Sequence, residues 1–417
     1  MGIVQSLLST VGDVLGYLVN KSETAATITQ RQRGSARPRQ VVLLLQGLGP
    51  GEAKSVADPA PGGQARELRQ ARPEWTRFKS EDSRAVPTSP PICPQMPNLN
   101  TENPQRTAKR RSALRRARSV LISRVAGLVV RGLAWYAQRL TREGAGRFGA
   151  SIGRLALRCT PHRRGIALRN IAWALQKSGE ESSAILAACY LNLGKCLVEF
   201  LRLPTVIRSN ELLHTVSATG EEHLKAALAK GNGVVLITGH FGNWELMGAR
   251  LAARGYHVNA LARHQNDKST TSFVDGLRGT TGMRVIWGTH GLVDAAVACL
   301  RRGEIVAFLV DQNAGREGTF VDFFGRLAST HTGAAVCALT TGAAVIPAFG
   351  VRNPDDTHSG YFLPEVELVR TGSLRKDIEV NTAAFTKIVE AQIRLRPDMW
   401  FWLHDRWRAR PPSEETR

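Results

Sequence analysis

The chain has 417 residues, enough for one large domain or two ordinary ones, and 43% are hydrophobic, so a sizeable core can form. Its 56 Lys+Arg against 35 Asp+Glu leave a net charge of +21, which predicts acidic partners: nucleic acid, anionic lipid or an acidic protein. The six cysteines include no C-x-x-C pair, which argues against a zinc ribbon or a thioredoxin-like centre and favours reduced, buried thiols.

Residues 1–118 hold 11 of the 19 prolines and carry 19 basic against 9 acidic residues. Sustained periodicity is absent between Arg31 and Arg118, and so much Pro, Gly, Ser and Arg cannot bury enough surface to offset ordering entropy. The expectation is a disordered basic leader over 1–118, a folded domain over 119–412 and a short tail over 413–417. No uninterrupted apolar stretch reaches the roughly 18–20 residues of a spanning helix. Ile3–Val19 is apolar but contains Asp13 and lacks a basic leader, unlike a signal peptide.

From Ser119 the pattern becomes helical. Val120, Leu121, Val125, Leu128, Val129, Leu133 and Trp135 fall near one face, interrupted by Arg124, Arg131 and Arg139. Such a basic amphipathic helix suits an anionic membrane surface, or it packs on the domain core. Arg163–Gln176 and Ser182–Leu203 are further helices, with Pro204 ending the second. Gly233–Thr238 then reads as a strand buried on both faces, followed by a helix over Glu245–Arg254. His257–Ala262, Met283–Trp287, Ile305–Val310 and Ala343–Val351 are strands, and Val293–Arg302 and Thr332–Thr341 are helices. The alternation predicts an α/β fold with a mostly parallel central sheet flanked by helices and preceded by amphipathic helices.

The chemistry concentrates in Thr238-Gly239-His240-Phe241-Gly242-Asn243-Trp244-Glu245, where a buried strand ends and a helix begins. In open α/β sheets that carboxyl edge is where ligands bind. An imidazole whose Nδ1–H is held by a carboxylate has a fixed tautomer and a more basic Nε2, as a general base requires. Glu245 is placed to be that carboxylate for His240. Gly239 and Gly242 leave room for a ligand to approach the backbone, the helix N-terminus offers free N–H groups to an anion or oxyanion, and Gly242 and Asn243 are candidate substrate-binding residues. As bare spacing, a structural histidine remains the alternative. Asp311 and Gln312 end the Ile305–Val310 strand at the same kind of edge, to position a substrate or simply to form a turn. The pair His240 and Glu245 lacks the His-Glu-x-x-His spacing of metal hydrolases, and no metal or cofactor is expected.

These residues carry a resemblance. His240-Phe241-Gly242-Asn243-Trp244-Glu245 resembles the His-x4-Asp/Glu motif of the lysophospholipid acyltransferase superfamily, and more narrowly its bacterial lipid A biosynthesis branch. Asp311–Gly315, Gly318–Gly325, Ala328–Thr330 and Thr341–Ala343 are similar to that branch's second signature, and Pro397–Trp407 to its C-terminal ending. The likeness spans about Arg124 to Pro411.

The resemblance implies direct transfer of a fatty-acyl chain from acyl carrier protein or acyl-CoA to a hydroxyl of a membrane lipid, such as a lipid A precursor or a lysophospholipid. His240 is then the base and Glu245 orients it, and no acyl-enzyme is needed. Arg263 falls where the family places a phosphate or headgroup contact, although a solvated surface arginine remains the plain alternative. The implied location is the cytoplasmic face of a bacterial inner membrane, held peripherally or monotopically. Trp400, Phe401, Trp402 and Trp407 are either an interfacial belt or core. The rival reading is a non-catalytic protein binding nucleic acid or anionic membrane through its basic leader. No zinc finger, basic zipper or RNP-like strand supports specific nucleic-acid recognition.

Overall fold

The computed structural model describes residues 124–262, 268–288 and 291–411; the predicted leader, the tail and Arg263 lie outside them. Four helices come first: α1 (124–137), α2 (Arg142–Cys159), α3 (Pro161–Leu175) and α4 (Gly179–Leu201). Local chemistry sets their starts. Thr141 caps α2 by accepting from the Gly144 N–H, and Pro161 opens α3 where its missing N–H costs nothing. Ser178 and Glu181 form a reciprocal capping box at α4.

Packing of α2 on α4 requires glycine. A Cβ built on Gly153 would lie 2.2 Å from the Tyr190 carbonyl oxygen, and one on Gly194 would lie 2.2 Å from that of Gly149. Among the described residues α4 alone is long and apolar enough to cross a membrane, yet most of it is buried against the rest of the fold. Its length and apolarity are those of a core helix.

Two short helices, α5 (Leu203–Arg208) and α6 (Glu211–Thr215), lead into the sheet region. There β1 (Val216–Thr219), α7 (Glu221–Ala229), β2 (Val234–Thr238), α8 (Trp244–Ala253), β3 (Val258–Ala262), α9 (Lys268–Gly279), β4 (Arg284–Trp287), α10 (Leu292–Arg301) and β5 (Ile305–Leu309) follow in turn. A hairpin of β6 (Thr319–Phe323) and β7 (Arg326–Thr330) precedes α11 (Gly333–Thr341), β8 (Ala344–Arg352), β9 (His358–Phe362) and α12 (Leu374–Leu395).

The seven-stranded sheet has the order β1-β9-β8-β2-β5-β3-β4. β8, β2, β5, β3 and β4 run parallel, while β9 is antiparallel to β8 and carries β1 parallel to itself. All five residues of β2 are buried, as expected of a central strand covered by helices on both faces.

Predicted and observed elements differ by a residue or two at most ends. Pro204 is a correction: α4 ends at Leu201 and the proline sits in the first turn of α5. A ring that cannot continue a helix can still begin one. The sequence pattern does not reveal α2, the β6–β7 hairpin, β1, β9 or α12.

The first helix also shows a different buried face from the one the pattern suggests. Val130, Ala134 and Ala137 are buried, whereas Leu128 is 67% and Trp135 59% exposed. At the other end of the chain the aromatic run is core: Trp400, Phe401, Trp402 and Trp407 are all buried. Trp400 and Trp407 pack on Phe323 with ring centroids 5.6 Å apart in each case.

Candidate active site

Register places the site. Thr238, the last residue of β2, pairs with Leu309, the last residue of β5. His240 and Asp311 each lie two residues beyond those partners, so neighbouring parallel strands deliver them to the same carboxyl edge. The His240 N–H donates to Asp311 Oδ2 at 2.7 Å, and His240 Nδ1 lies 2.8 Å from Asp311 Oδ1. Trp400 Nε1–H donates to Asp311 Oδ2 at 2.7 Å.

Burial alone would push the Asp311 carboxyl up, but the His240 charge and these three hydrogen bonds outweigh it and hold the pKa well below the usual range. An ionised carboxylate can only accept, so the proton between the two side chains belongs to Nδ1. When that ring is neutral, its lone pair is on Nε2. That nitrogen lies 3.3 Å from Gln312 Nε2, and the ring packs edge-on against Trp244 with centroids 4.9 Å apart.

Glu245 does not hold the ring's Nδ1, contrary to the sequence expectation. Its carboxylate is gripped by Arg278 at the end of α9, through Nη2 to Oε1 and through Nε to Oε2 at 2.9 Å. Both side chains are buried. Burial would lower the Arg278 pKa, but the Glu245 carboxylate overcomes it and raises it. The reason is rotational. Glu245 is the second residue of α8, and its side chain leaves the helix toward α9, whereas Asp311 comes off the strand beside His240.

The flanking residues are also occupied by the protein. Gly242 has φ +57, its N–H donates to the Met399 carbonyl at 2.9 Å, and a Cβ on it would lie 1.8 Å from the Gly350 oxygen. Its missing side chain admits backbone rather than a ligand. Asn243 caps α8 by accepting from the Leu246 N–H at 3.2 Å, and its Nδ2 donates to Glu199 at 2.6 Å. Of the predicted site residues, the structure therefore brings His240, Asp311 and Gln312 together and engages Gly242, Asn243 and Glu245 with other parts of the fold. Arg263, the predicted headgroup contact, lies outside the described residues.

The C-terminal segment completes the site. Phe401 N–H donates to the His240 carbonyl, and Phe241 pairs with Trp400 in an antiparallel bridge. His404 Nε2 accepts from the Asn313 N–H at 3.0 Å, and Asn313 Nδ2 donates to the Arg406 carbonyl. Arg406 is fully buried and donates to the Ser329 carbonyl and Thr330 Oγ1. Sequence reasoning marks this ending without finding a role for it; the roles of Trp400 and His404 depend on contacts across 89 and 91 residues, which no local spacing reveals.

A buried His–Asp pair at the carboxyl edge of a mostly parallel sheet is an arrangement chemically able to transfer a proton. The family model of bacterial lipid A biosynthesis acyltransferases matches residues 115–409, and the chain belongs to that family of O-acyltransferases. It is similar to the lipid A biosynthesis palmitoleoyltransferase of Escherichia coli K12, 29% identical over 274 residues, covering 64% of this chain and 86% of that protein. The lipid A biosynthesis lauroyltransferase of the same organism is 26% identical over 290 residues, covering 69% of this chain and 92% of that one. A phosphatidylinositol mannoside acyltransferase of Mycobacterium tuberculosis H37Rv is 31% identical over 169 residues, covering 39% and 53%.

Proposed function

We propose that this enzyme moves a fatty-acyl chain from an acyl thioester to a hydroxyl of a membrane glycolipid, with His240 as general base and Asp311 as the group that orients it. The observation carrying this reading is the Nδ1–Asp311 hydrogen bond, which leaves the ring's lone pair on Nε2, where it can take a proton. The acceptor hydroxyl gives its proton to Nε2 as its oxygen attacks the thioester carbonyl. The tetrahedral adduct then collapses, the C–S bond breaks, and the imidazolium returns the proton to the leaving thiolate. Asp311 stays ionised throughout and balances the imidazolium.

Relatives named for lipid A and for phosphatidylinositol mannoside support a lipid acceptor of one of these kinds. A net charge of +21 favours an acidic donor carrier such as acyl carrier protein over a small thioester, with acyl-CoA the second choice. Exposed Leu128, Trp135 and Tyr136 on α1, beside Arg124, Arg131 and Arg139, support peripheral attachment to an anionic membrane surface, which we take to be the cytoplasmic face of the inner membrane.

The test is transfer by the purified full chain from radiolabelled acyl carrier protein and acyl-CoA to a panel of membrane lipids, beside His240→Ala. We expect one lipid to be labelled and the variant to fall by about 10²–10⁴-fold, the range for a lost general base. Equal transfer by both proteins would overturn the role of His240. Transfer to no lipid by folded wild type would overturn the reaction.

A further inference from the structure

We infer that Glu199, on α4 and away from the reacting atoms, is a positioning residue for the His240 turn, acting through Asn243. This rests on the reading of His240 as the base.

Three polar side chains converge on the Glu199 carboxylate from β8, β9 and the catalytic turn. Arg352 donates through Nη1 to Oε1 and through Nη2 to Oε2 at 2.7 Å, and His358 Nε2 lies 3.2 Å from Oε1. Asn243 Nδ2 donates to Oε2 at 2.6 Å. Asn243, Arg352 and His358 are each under 9% exposed, and the Glu199 side chain is 16% exposed. Burial opposes the charge on Glu199, but Arg352 and then His358 overcome it and hold its pKa well below the usual carboxylate range.

The amide of Asn243 is thereby fixed in one orientation, with Nδ2 on Glu199 and Oδ1 on the Leu246 N–H that it caps. Three residues earlier on the same helix face, Cys196 donates its thiol to the Gly242 carbonyl. From the opposite side the C-terminal segment holds the Gly242 N–H and the His240 carbonyl. The turn carrying the base is thus gripped on both flanks. On the α4 flank the capping amide is oriented by a carboxylate that Arg352 and His358 have immobilised. A site built this way loses rate when its base shifts by about an ångström, even without losing a substrate contact.

The test is a polarity swap in the full chain: Asn243→Asp, Glu199→Gln and the double variant, with kcat, KM and melting temperature measured for each. Asn243→Asp keeps the capping oxygen but sets two carboxylates against each other. Glu199→Gln removes the charge that Arg352 and His358 face. The double variant restores one donor and one acceptor with the same total charge, since the amide introduced on α4 can donate to the carboxylate introduced at the turn.

We expect each single variant to lower kcat per folded enzyme by about 10–100-fold with KM changed less than about threefold. The double variant should recover to within about fivefold of wild type. A double variant no better than the worse single would overturn the proposal, as would losses that follow only the folded fraction. A raised KM at unchanged kcat would also overturn it, because Asn243 would then contact substrate. His240→Ala, run alongside, separates the two readings: full activity there removes the general base and leaves the swap unexplained, whereas loss there with no rescue removes only the role of Glu199.

Discussion

Two carboxylates compete for the role of orienting His240, and their hydrogen bonds assign them different work. Asp311 takes the His240 backbone N–H, the Nδ1–H of the same residue and the Trp400 indole N–H. Asp311→Asn keeps the shape but presents an amide that can favour the wrong imidazole tautomer. A kcat loss of about 10²–10⁴-fold, with KM and the melting temperature little changed, is the expected result of steady-state kinetics and calorimetry. Trp400→Phe removes one charge-assisted donor, and about 1.5–3 kcal/mol of stability should go with it in urea titrations. Glu245→Gln is a different kind of change. It leaves Arg278 buried without its counter-charge, which costs about 3–5 kcal/mol, so activity should fall together with the folded fraction rather than at constant fold. A Glu245→Gln enzyme that melts like wild type yet has lost its kcat would return the orienting role to Glu245.

At the scale of elements, the central architecture was legible because each buried strand writes itself as a short apolar run before a turn. Val234–Thr238 and Ile305–Leu309 are of this kind, and their pairing puts two predicted site residues side by side. What stayed hidden depends on long-range contact. β9, His358–Phe362, alternates buried and half-buried residues but begins with a histidine that reads as loop until Glu199 supplies its partner. The helix α2 escaped because its core-facing positions include Gly146, Gly149 and Gly153, residues that lower helix propensity and carry no hydrophobic signal. Only the backbone of α4 explains Gly149 and Gly153. Gly153→Leu would drive a side chain into the Tyr190 carbonyl and force the two helices apart. We expect loss of the cooperative unfolding transition or insoluble expression, while Gly165→Ala on α3, whose Cβ meets only a flexible arginine 3.6 Å away, should express and melt like wild type.

Across the whole molecule, the last dozen described residues tie the sheet edge to the helices. Asn170 on α3 donates to the carbonyls of Trp402 and His404, while His404 itself accepts from Asn313 beside the site. Burial, with the nearby positive charges of His240 and Arg406, pushes the His404 pKa down to about 3 despite the opposing Asp311 carboxylate. In the unfolded chain the same imidazole titrates near its ordinary value of about 6.5. Between those two values the unfolded state binds a proton that the native state refuses, so the contribution of His404 to stability is complete above about pH 6.5. It is lost progressively as pH falls toward 3, by up to about 1.4 kcal/mol per unit. Glu199 and Asp311, whose carboxyls are held low, begin to lose their own contributions only below the ordinary carboxylate range of about 4–4.5. The interval from pH 7.5 to 5 therefore isolates histidine. His404→Gln can still accept from the Asn313 N–H but cannot titrate. Urea unfolding across that interval should give a steeper loss of stability for wild type than for His404→Gln. Parallel slopes would mean that His404 is protonated in the native protein and that its hydrogen bond from Asn313 is not made.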